Sequence, residues 1–125
     1  MIIVGATDPH EELMRRTNLR VEGRIMKTLE EIRAILIEHQ QILRERYGVR
    51  DLAIFGSYAR GEQTRISDVD LLVRLERPIG LKFFELWDYL EEILDLKVDL
   101  LTSEALQQKP ALWKHVQEDL VYVWS

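Results

Sequence analysis

The chain has 125 residues and a formal net charge of −5 at pH 7, since 17 Lys and Arg stand against 22 Asp and Glu. This acidic balance argues against direct binding of nucleic acid, whose phosphates are usually contacted through a basic face. The sequence contains no cysteine, which excludes disulfides, thiolate nucleophiles and cysteine-ligated metal centres. Because no apolar run approaches the roughly 20 residues of a membrane span, we expect a cytoplasmic protein that does not bind a membrane.

The composition divides the chain into a short first part and one domain. The first 25 residues contain Gly5, Pro9 and Gly23 with only a brief helix-like patch, and we expect residues 1–25 to form an N-terminal arm or extension. Residues 26–125 are long enough to bury one hydrophobic core, and we expect them to form the folded domain.

A long helix is predicted near the start of this domain. Thr28 followed three residues later by Glu31 is a capping-box pattern, and apolar residues then recur at helical spacing as far as Tyr47. Gly48 suits the left-handed position that ends many helices. The pattern therefore predicts one helix over about residues 28–47.

Short apolar runs and amphipathic stretches alternate through the rest of the chain. Apolar runs bounded by glycine or proline are typical of buried strands, and wide apolar faces at helical spacing are typical of packed helices. The predicted elements are a strand at 52–55, a polar, turn-like segment at 58–67, a strand at 69–73, a helix at 81–94 ended by a left-handed Asp95, a strand at 98–101, a helix at 110–119 and an edge strand at 121–124.

The connections between these elements predict the sheet topology. About a dozen residues without a full crossover helix join the first two strands, which favours an antiparallel pair. A helix joins the second and third strands, which predicts a parallel pair with a right-handed crossover. We therefore expect an α+β fold with an α/β-like unit, built as a small mixed β-sheet covered by helices.

Three aspartates are the candidate metal ligands. Asp68 and Asp70 are two residues apart at the second strand, so their side chains point to the same face. Asp99 is near the start of the third strand, and parallel neighbours begin at the same sheet edge, which brings Asp99 towards the other two. Such a cluster repels itself unless cations share it, and carboxylate oxygens are suitable ligands for Mg²⁺ or Mn²⁺.

The residues after the first strand are candidates for nucleotide binding. Gly56 lets a phosphate approach the backbone, and Ser57 adds a hydroxyl donor. Arg60, in the same connection, is able to balance the charge of a triphosphate, with a surface ion pair as the alternative. If the first two strands are antiparallel, this bend lies next to the aspartates, and the sequence predicts a metal–triphosphate site.

The whole combination resembles a known family. Segment 53–61 reads Ala-Ile-Phe-Gly-Ser-Tyr-Ala-Arg-Gly, segment 67–73 reads Ser-Asp-Val-Asp-Leu-Leu-Val and segment 97–101 reads Lys-Val-Asp-Leu-Leu. These segments are similar to the minimal nucleotidyltransferases of the DNA polymerase β superfamily, and more narrowly to the MntA-type antitoxins that accompany HEPN-domain toxins. The resemblance covers about residues 26–124 and implies the palm-like fold of that family.

This resemblance implies an activity and roles for the residues. The activity is transfer of AMP from ATP to a tyrosine hydroxyl of the cognate HEPN toxin, which the antitoxin thereby silences. By motif position, Asp68 and Asp70 hold two Mg²⁺ ions. Asp99 completes the metal site and helps to deprotonate the attacking hydroxyl. Gly56 and Ser57 hold the outgoing pyrophosphate portion. The expected partner is the cognate toxin, and both a homo-oligomer and a hetero-oligomer stay open.

Two further functions remain open at this point. One is nucleotidyl transfer to a small hydroxylated molecule such as an aminoglycoside, although such enzymes usually carry an additional domain for the acceptor. The other is a non-enzymatic antitoxin that neutralises its toxin by binding, with Trp87, Trp113 and Trp124 as exposed interface residues.

Overall fold

The computed structural model describes residues 27–125, and the arm predicted at residues 1–25 lies outside this range. In the described part, helices cover both faces of a mixed four-stranded sheet, as expected for the α+β fold. The elements are α1 Leu29–Glu38, α2 Gln40–Tyr47, β1 Val49–Phe55, α3 Gly56–Arg60, β2 Val69–Leu75, α4 Lys82–Leu94, β3 Val98–Thr102, α5 Ser103–Gln107, α6 Pro110–Gln117 and β4 Val121–Trp124.

The sheet has the strand order β3-β2-β1-β4. β1 pairs antiparallel with both β2 and β4, and β2 pairs in parallel with β3, so the predicted topology is confirmed. The parallel pair forms because α4 carries the chain back from the end of β2 to its starting edge. As a result, β2 and β3 begin at the same edge of the sheet, where β1 ends.

Each face of the sheet has its own apolar layer. Val69, Leu71 and Val73 of β2 are fully buried in the larger core, which is completed by apolar residues of α1, α2 and α4. Leu72 faces the opposite side and packs in a smaller cluster with residues of α5 and α6. Because side chains alternate along a strand, Asp70 shares this second face with Leu72.

The predicted first helix is divided into two. Thr28 forms the expected capping box with Glu31, and Gly48 is left-handed at φ 69°. The prediction of one continuous helix is wrong at His39, whose backbone leaves helical geometry at ψ 13°. The His39 ring nitrogen Nδ1 lies 2.9 Å from the Ile35 carbonyl oxygen, so the side chain competes with the backbone for the acceptor that a helix uses.

Two short helices were not predicted. The segment expected to be turn-like begins with α3, whose Tyr58 is 1% exposed and packs in the larger core. Helix α5 follows β3 directly and is capped by the Thr102 hydroxyl, which accepts a hydrogen bond from the Ala105 amide at 3.1 Å. The left-handed Asp95 that ends α4 was predicted correctly, with φ 53°.

The tryptophans do not form the exposed aromatic surface that the sequence suggested. Trp124 is buried at 8% exposure, and Trp87 and Trp113 are half-buried against the two apolar layers. Within residues 27–125, no helix combines the length and the apolar character needed to cross a membrane.

Candidate active site

The predicted site residues gather at the sheet edge where β1 ends and where β2 and β3 begin. Asp70 pairs in register with Phe55 of β1 on one side and with Asp99 of β3 on the other. Gly56 follows Phe55 directly and therefore lies next to Asp70. The central strand thus places one carboxylate between the glycine–serine bend and a second carboxylate.

Asp70 has the most perturbed acid–base equilibrium of the site. Partial burial, followed by the negative charges of Asp99 and Asp68, raises the pKa of Asp70 from 3.8 to about 6. A hydrogen bond between the carboxyl groups of Asp70 and Asp99 acts in the same direction, whereas the nearby positive charge of Arg60 lowers the pKa. Asp70 therefore holds a proton more tightly than an isolated aspartate does.

Gly56 makes room for the Asp70 carboxylate. Its φ is +75°, in the left-handed region that side chains disfavour, and a Cβ at this position would lie 2.0 Å from Asp70 Oδ2. No other residue fits without displacing the carboxylate. The half-buried Ser57 follows in the first turn of α3, at the position predicted for a phosphate contact.

Arg60 lies at the end of α3 and is paired with two carboxylates. Its guanidinium donates to Glu62 Oε1 at 2.8 Å and to Asp119 Oδ2 at 2.7 Å. The Asp119 side chain is 19% exposed, whereas that of Glu62 is 67% exposed. The ion pair considered as the alternative is thus present, and Arg60 is still close enough to Asp70 to lower its pKa.

Asp68 lies one residue before β2, where the sequence placed it on the strand. Its side chain is exposed and lines a cleft together with Arg65 and Lys97. The charge of Asp68 raises the pKa of Asp70 and also, after burial, that of Tyr58. Asp68 is therefore an electrostatic neighbour of the Asp70–Asp99 pair, although it is not hydrogen-bonded to it.

The donor set suits a hard divalent cation. Among the residues that the structure describes, no three Asp, Glu, His or Cys side chains stand close enough to enclose a metal ion. Asp70 and Asp99 are nevertheless register partners on neighbouring strands, and the exposed Asp68 is able to change rotamer towards them. Because all these donors are carboxylate oxygens that repel one another, they fit Mg²⁺ or Mn²⁺.

The sequence profile of the family described as "Nucleotidyltransferase domain" matches residues 36–123. This range is more than half of the chain and contains every candidate site residue. The chain belongs to the nucleotidyltransferase family.

A close relative indicates which group of nucleotidyltransferases the chain belongs to. This nucleotidyltransferase is 52% identical over 99 residues to the protein adenylyltransferase MntA of Thermococcus cleftensis, an alignment that covers 78% of this chain and 98% of the relative. The chain therefore belongs with the protein adenylyltransferases.

Solved structures agree with this assignment. A candidate minimal nucleotidyltransferase, 33% identical in sequence, superposes with a TM-score of 0.64 over 76% of this chain and 95% of the other. A crystal structure of a toxin–antitoxin with AMP-PNP gives a TM-score of 0.59 at 27% identity, over 74% of this chain and 73% of that chain. The nucleotidyltransferase fold is thereby confirmed.

Sequence analysis of this nucleotidyltransferase did not identify Glu62 and Asp119 as the acidic partners of Arg60. Glu62 is two residues from Arg60 in an exposed turn, and nothing distinguishes it from a solvated carboxylate. Asp119 is 59 residues from Arg60 along the chain, and only the tertiary fold brings the turn after α6 near the end of α3. The pattern of apolar residues predicts α6 but gives no signal for this contact.

Proposed function

We propose that this nucleotidyltransferase transfers AMP from ATP to a tyrosine hydroxyl of a cognate HEPN-domain toxin and acts as its antitoxin. The observation that carries the proposal is the register pairing of Asp70 with Asp99, directly beside Gly56. This arrangement places two acidic groups next to a bend into which a phosphate chain is able to pass. The 52% identity to a protein adenylyltransferase supports a protein as the acceptor.

Asp68, Asp70 and Asp99 are the proposed ligands of two Mg²⁺ ions, with Mn²⁺ as a substitute. When bound, the cations would stabilise the entering and leaving oxygens of an in-line displacement. The carboxylates supply the negative charge that holds them, and the pKa of about 6 at Asp70 means that this ligand is mostly ionised at neutral pH.

Asp99 is the proposed acceptor of the tyrosine proton. The hydroxyl oxygen forms a bond to the α-phosphorus of ATP, the bond from that phosphorus to the α,β-bridging oxygen breaks, and pyrophosphate leaves. Asp99 is exposed at the start of β3 and is the register partner of Asp70 on the neighbouring strand. This exposed position beside Asp70 supports Asp99 as the base.

Gly56, Ser57 and Arg60 are the proposed contacts of the β- and γ-phosphates. Gly56 and Ser57 lie beside Asp70 at the start of α3, and the Ser57 hydroxyl is available as a donor. Arg60 is held beside Asp70 by Asp119 and Glu62. Its guanidinium is able to exchange the exposed Glu62 for a phosphate oxygen while it keeps the bond to Asp119.

The proposal is tested by label transfer. Purified protein, Mg²⁺ and ATP labelled at the α-phosphate are mixed with the product of the neighbouring gene, and label on that protein is measured. We expect transfer by the wild type and a loss of about 100-fold or more in the rate with Asp70→Asn. Asp88→Asn, which changes an exposed carboxylate on α4, is the matched control and should retain the wild-type rate.

Two results would contradict the proposal. Transfer of label by Asp70→Asn at the wild-type rate would show that the Asp70 carboxylate is not required for the reaction. Label on a small hydroxylated compound added in parallel, with none on the protein, would assign the acceptor to small molecules instead.

A further inference from the structure

Ile66 is an apolar side chain displayed next to the candidate site. It is 90% exposed, more than any other large hydrophobic residue in the described part of the chain. The loop around it is ordered by hydrogen bonds: the Thr64 amide donates to Ser67 Oγ at 2.9 Å, and the Ser67 amide donates to the Thr64 carbonyl oxygen at 3.1 Å. The loop therefore presents Ile66 to solvent in a fixed position, two residues before Asp68.

This loop forms one wall of a cleft of about 560 Å³. The opposite wall is the turn between α4 and β3, with Asp95 and Lys97, and the cleft includes Asp68 itself. The volume lies within the range of about 300–1,000 Å³ that is typical of ligand sites. The cleft therefore opens onto one of the proposed metal ligands, and we call it the acceptor cleft.

The position of the acceptor cleft relative to Asp70 determines what it is suited to hold. Gly56 and Ser57 lie on the β1 side of Asp70, whereas the acceptor cleft lies between the starts of β2 and β3, on the other side. In an in-line displacement the entering and leaving oxygens are on opposite sides of the phosphorus. If pyrophosphate leaves past Gly56, the attacking hydroxyl has to come from the cleft side.

We propose that the acceptor cleft binds the segment of the protein substrate that carries the attacking hydroxyl, with Ile66 as its apolar anchor. This inference rests on the proposed function and adds where the acceptor protein docks. The cleft is lined by the acidic Asp68, Glu91 and Asp95 together with the basic Arg65 and Lys97. The segment that fits combines an apolar side chain next to the hydroxyl-bearing residue with flanking side chains of both charges.

A second exposed aliphatic residue, Leu81, offers a matched comparison. Leu81 is 84% exposed and lies just before α4, at the end of the sheet opposite to Asp70 and Asp99. A protein segment bound at Leu81 cannot present a hydroxyl to the aspartates, since the seven residues of β2 separate the two ends by roughly 20 Å.

The experiment compares Ile66→Ser with Leu81→Ser in full-length protein. We expect Ile66→Ser to raise KM for the acceptor protein about tenfold or more, because an apolar contact of an isoleucine is lost, with kcat within about twofold. The Kd for Mg²⁺–ATP, measured by calorimetry, should be unchanged. Leu81→Ser should match the wild type in all three quantities.

Crosslinking tests docking independently of catalysis. A photoreactive phenylalanine analogue at position 66 should crosslink the acceptor protein, and the same group at position 81 should not, whether or not label is transferred. Crosslinking from position 66, together with no label transfer by the wild type, would contradict the proposed function and support the docking site. Unchanged KM in Ile66→Ser, a raised Kd for Mg²⁺–ATP, or crosslinking only from position 81 would overturn the inference.

Discussion

The carboxylate of Asp70 occupies the space that any side chain at position 56 would need, since a Cβ on Gly56 would lie 2.0 Å from Asp70 Oδ2. We therefore expect Gly56→Ala to displace Asp70 from its place beside Asp99. A displacement of about 1 Å at a reacting centre costs roughly 100-fold in rate. The measurement is kcat for label transfer, together with the melting temperature.

Gly61→Ala is the control for backbone strain. Gly61 has φ +74°, almost the same as Gly56, but a Cβ there would have no atom within 4 Å. Both variants should lose stability through the left-handed backbone, and only Gly56→Ala should lose kcat about 100-fold. Equal losses of kcat in the two variants would mean that the contact with Asp70 is irrelevant to activity.

The raised pKa of Asp70 predicts how the stability of the metal-free protein depends on pH. The folded state holds this proton up to about pH 6, whereas the unfolded chain releases it near pH 3.8. The stabilisation from the proton is therefore complete below about pH 4 and is lost as the pH rises through 6. In EDTA, Asp70→Asn should raise the melting temperature at pH 8 more than at pH 4.

With Mg²⁺ present, the effect of Asp70→Asn on the melting temperature at pH 8 should reverse, because the variant loses the stabilisation that the bound cation gives the wild type. Mg²⁺ should stabilise the wild type at pH 8 and have little effect below pH 5, because protons compete with the cation for Asp70. Asp70→Asn should show little stabilisation by Mg²⁺ at either pH. Thermal melts at both pH values, with EDTA and with Mg²⁺, measure this, and equal stabilisation of both proteins would exclude Asp70 as a ligand.

Arg60 is expected to act on both the nucleotide and Asp70. Arg60→Gln should raise KM for ATP about tenfold through loss of a charge-assisted hydrogen bond. It should also raise the pKa of Asp70 further, because the positive charge that lowers it is removed. Arg77→Gln, which breaks an exposed pair with Glu76 at 3.6 Å, should change neither KM nor the Asp70 titration followed by NMR.

Tyr58 anchors the short helix that carries Ser57 and Arg60. Because its side chain is 1% exposed in the larger core, Tyr58→Ala should lower the free energy of unfolding by about 3–5 kcal/mol. Tyr122→Ala removes the same side chain where it is 50% exposed and should cost about 1 kcal/mol or less. Urea unfolding of both variants gives the comparison, and equal costs would show that α3 is not held by this residue.

The sequence was informative where hydrophobic pattern and chain connectivity determine structure. The helix between β2 and β3 dictates a parallel pair, and this pairing aligns Asp70 with Asp99. The short connection after β1 likewise predicted that Gly56 lies beside Asp70. These relations depend on topology, which apolar spacing reveals.

The rest depended on contacts that no local pattern encodes. The break at His39 results from one side chain bonding to the Ile35 carbonyl, inside a stripe that otherwise reads as one helix. Helix α3 has five residues, too few for a periodic signal. The partner of Arg60 is Asp119, and this pairing follows from how α6 packs on the second face of the sheet.

The backbone of Val98 is held at the outer edge of β3, because the Trp87 indole donates to its carbonyl oxygen at 2.8 Å and its amide donates to Glu91 Oε2 at 2.9 Å. An edge strand with free polar groups would invite another chain to extend the sheet. Because the amide and the carbonyl oxygen of Val98 are both hydrogen-bonded to side chains of α4, another protein chain cannot pair with β3 as a fifth strand at this residue, which precedes Asp99. A partner protein that reaches Asp99 therefore cannot do so by pairing its backbone with Val98.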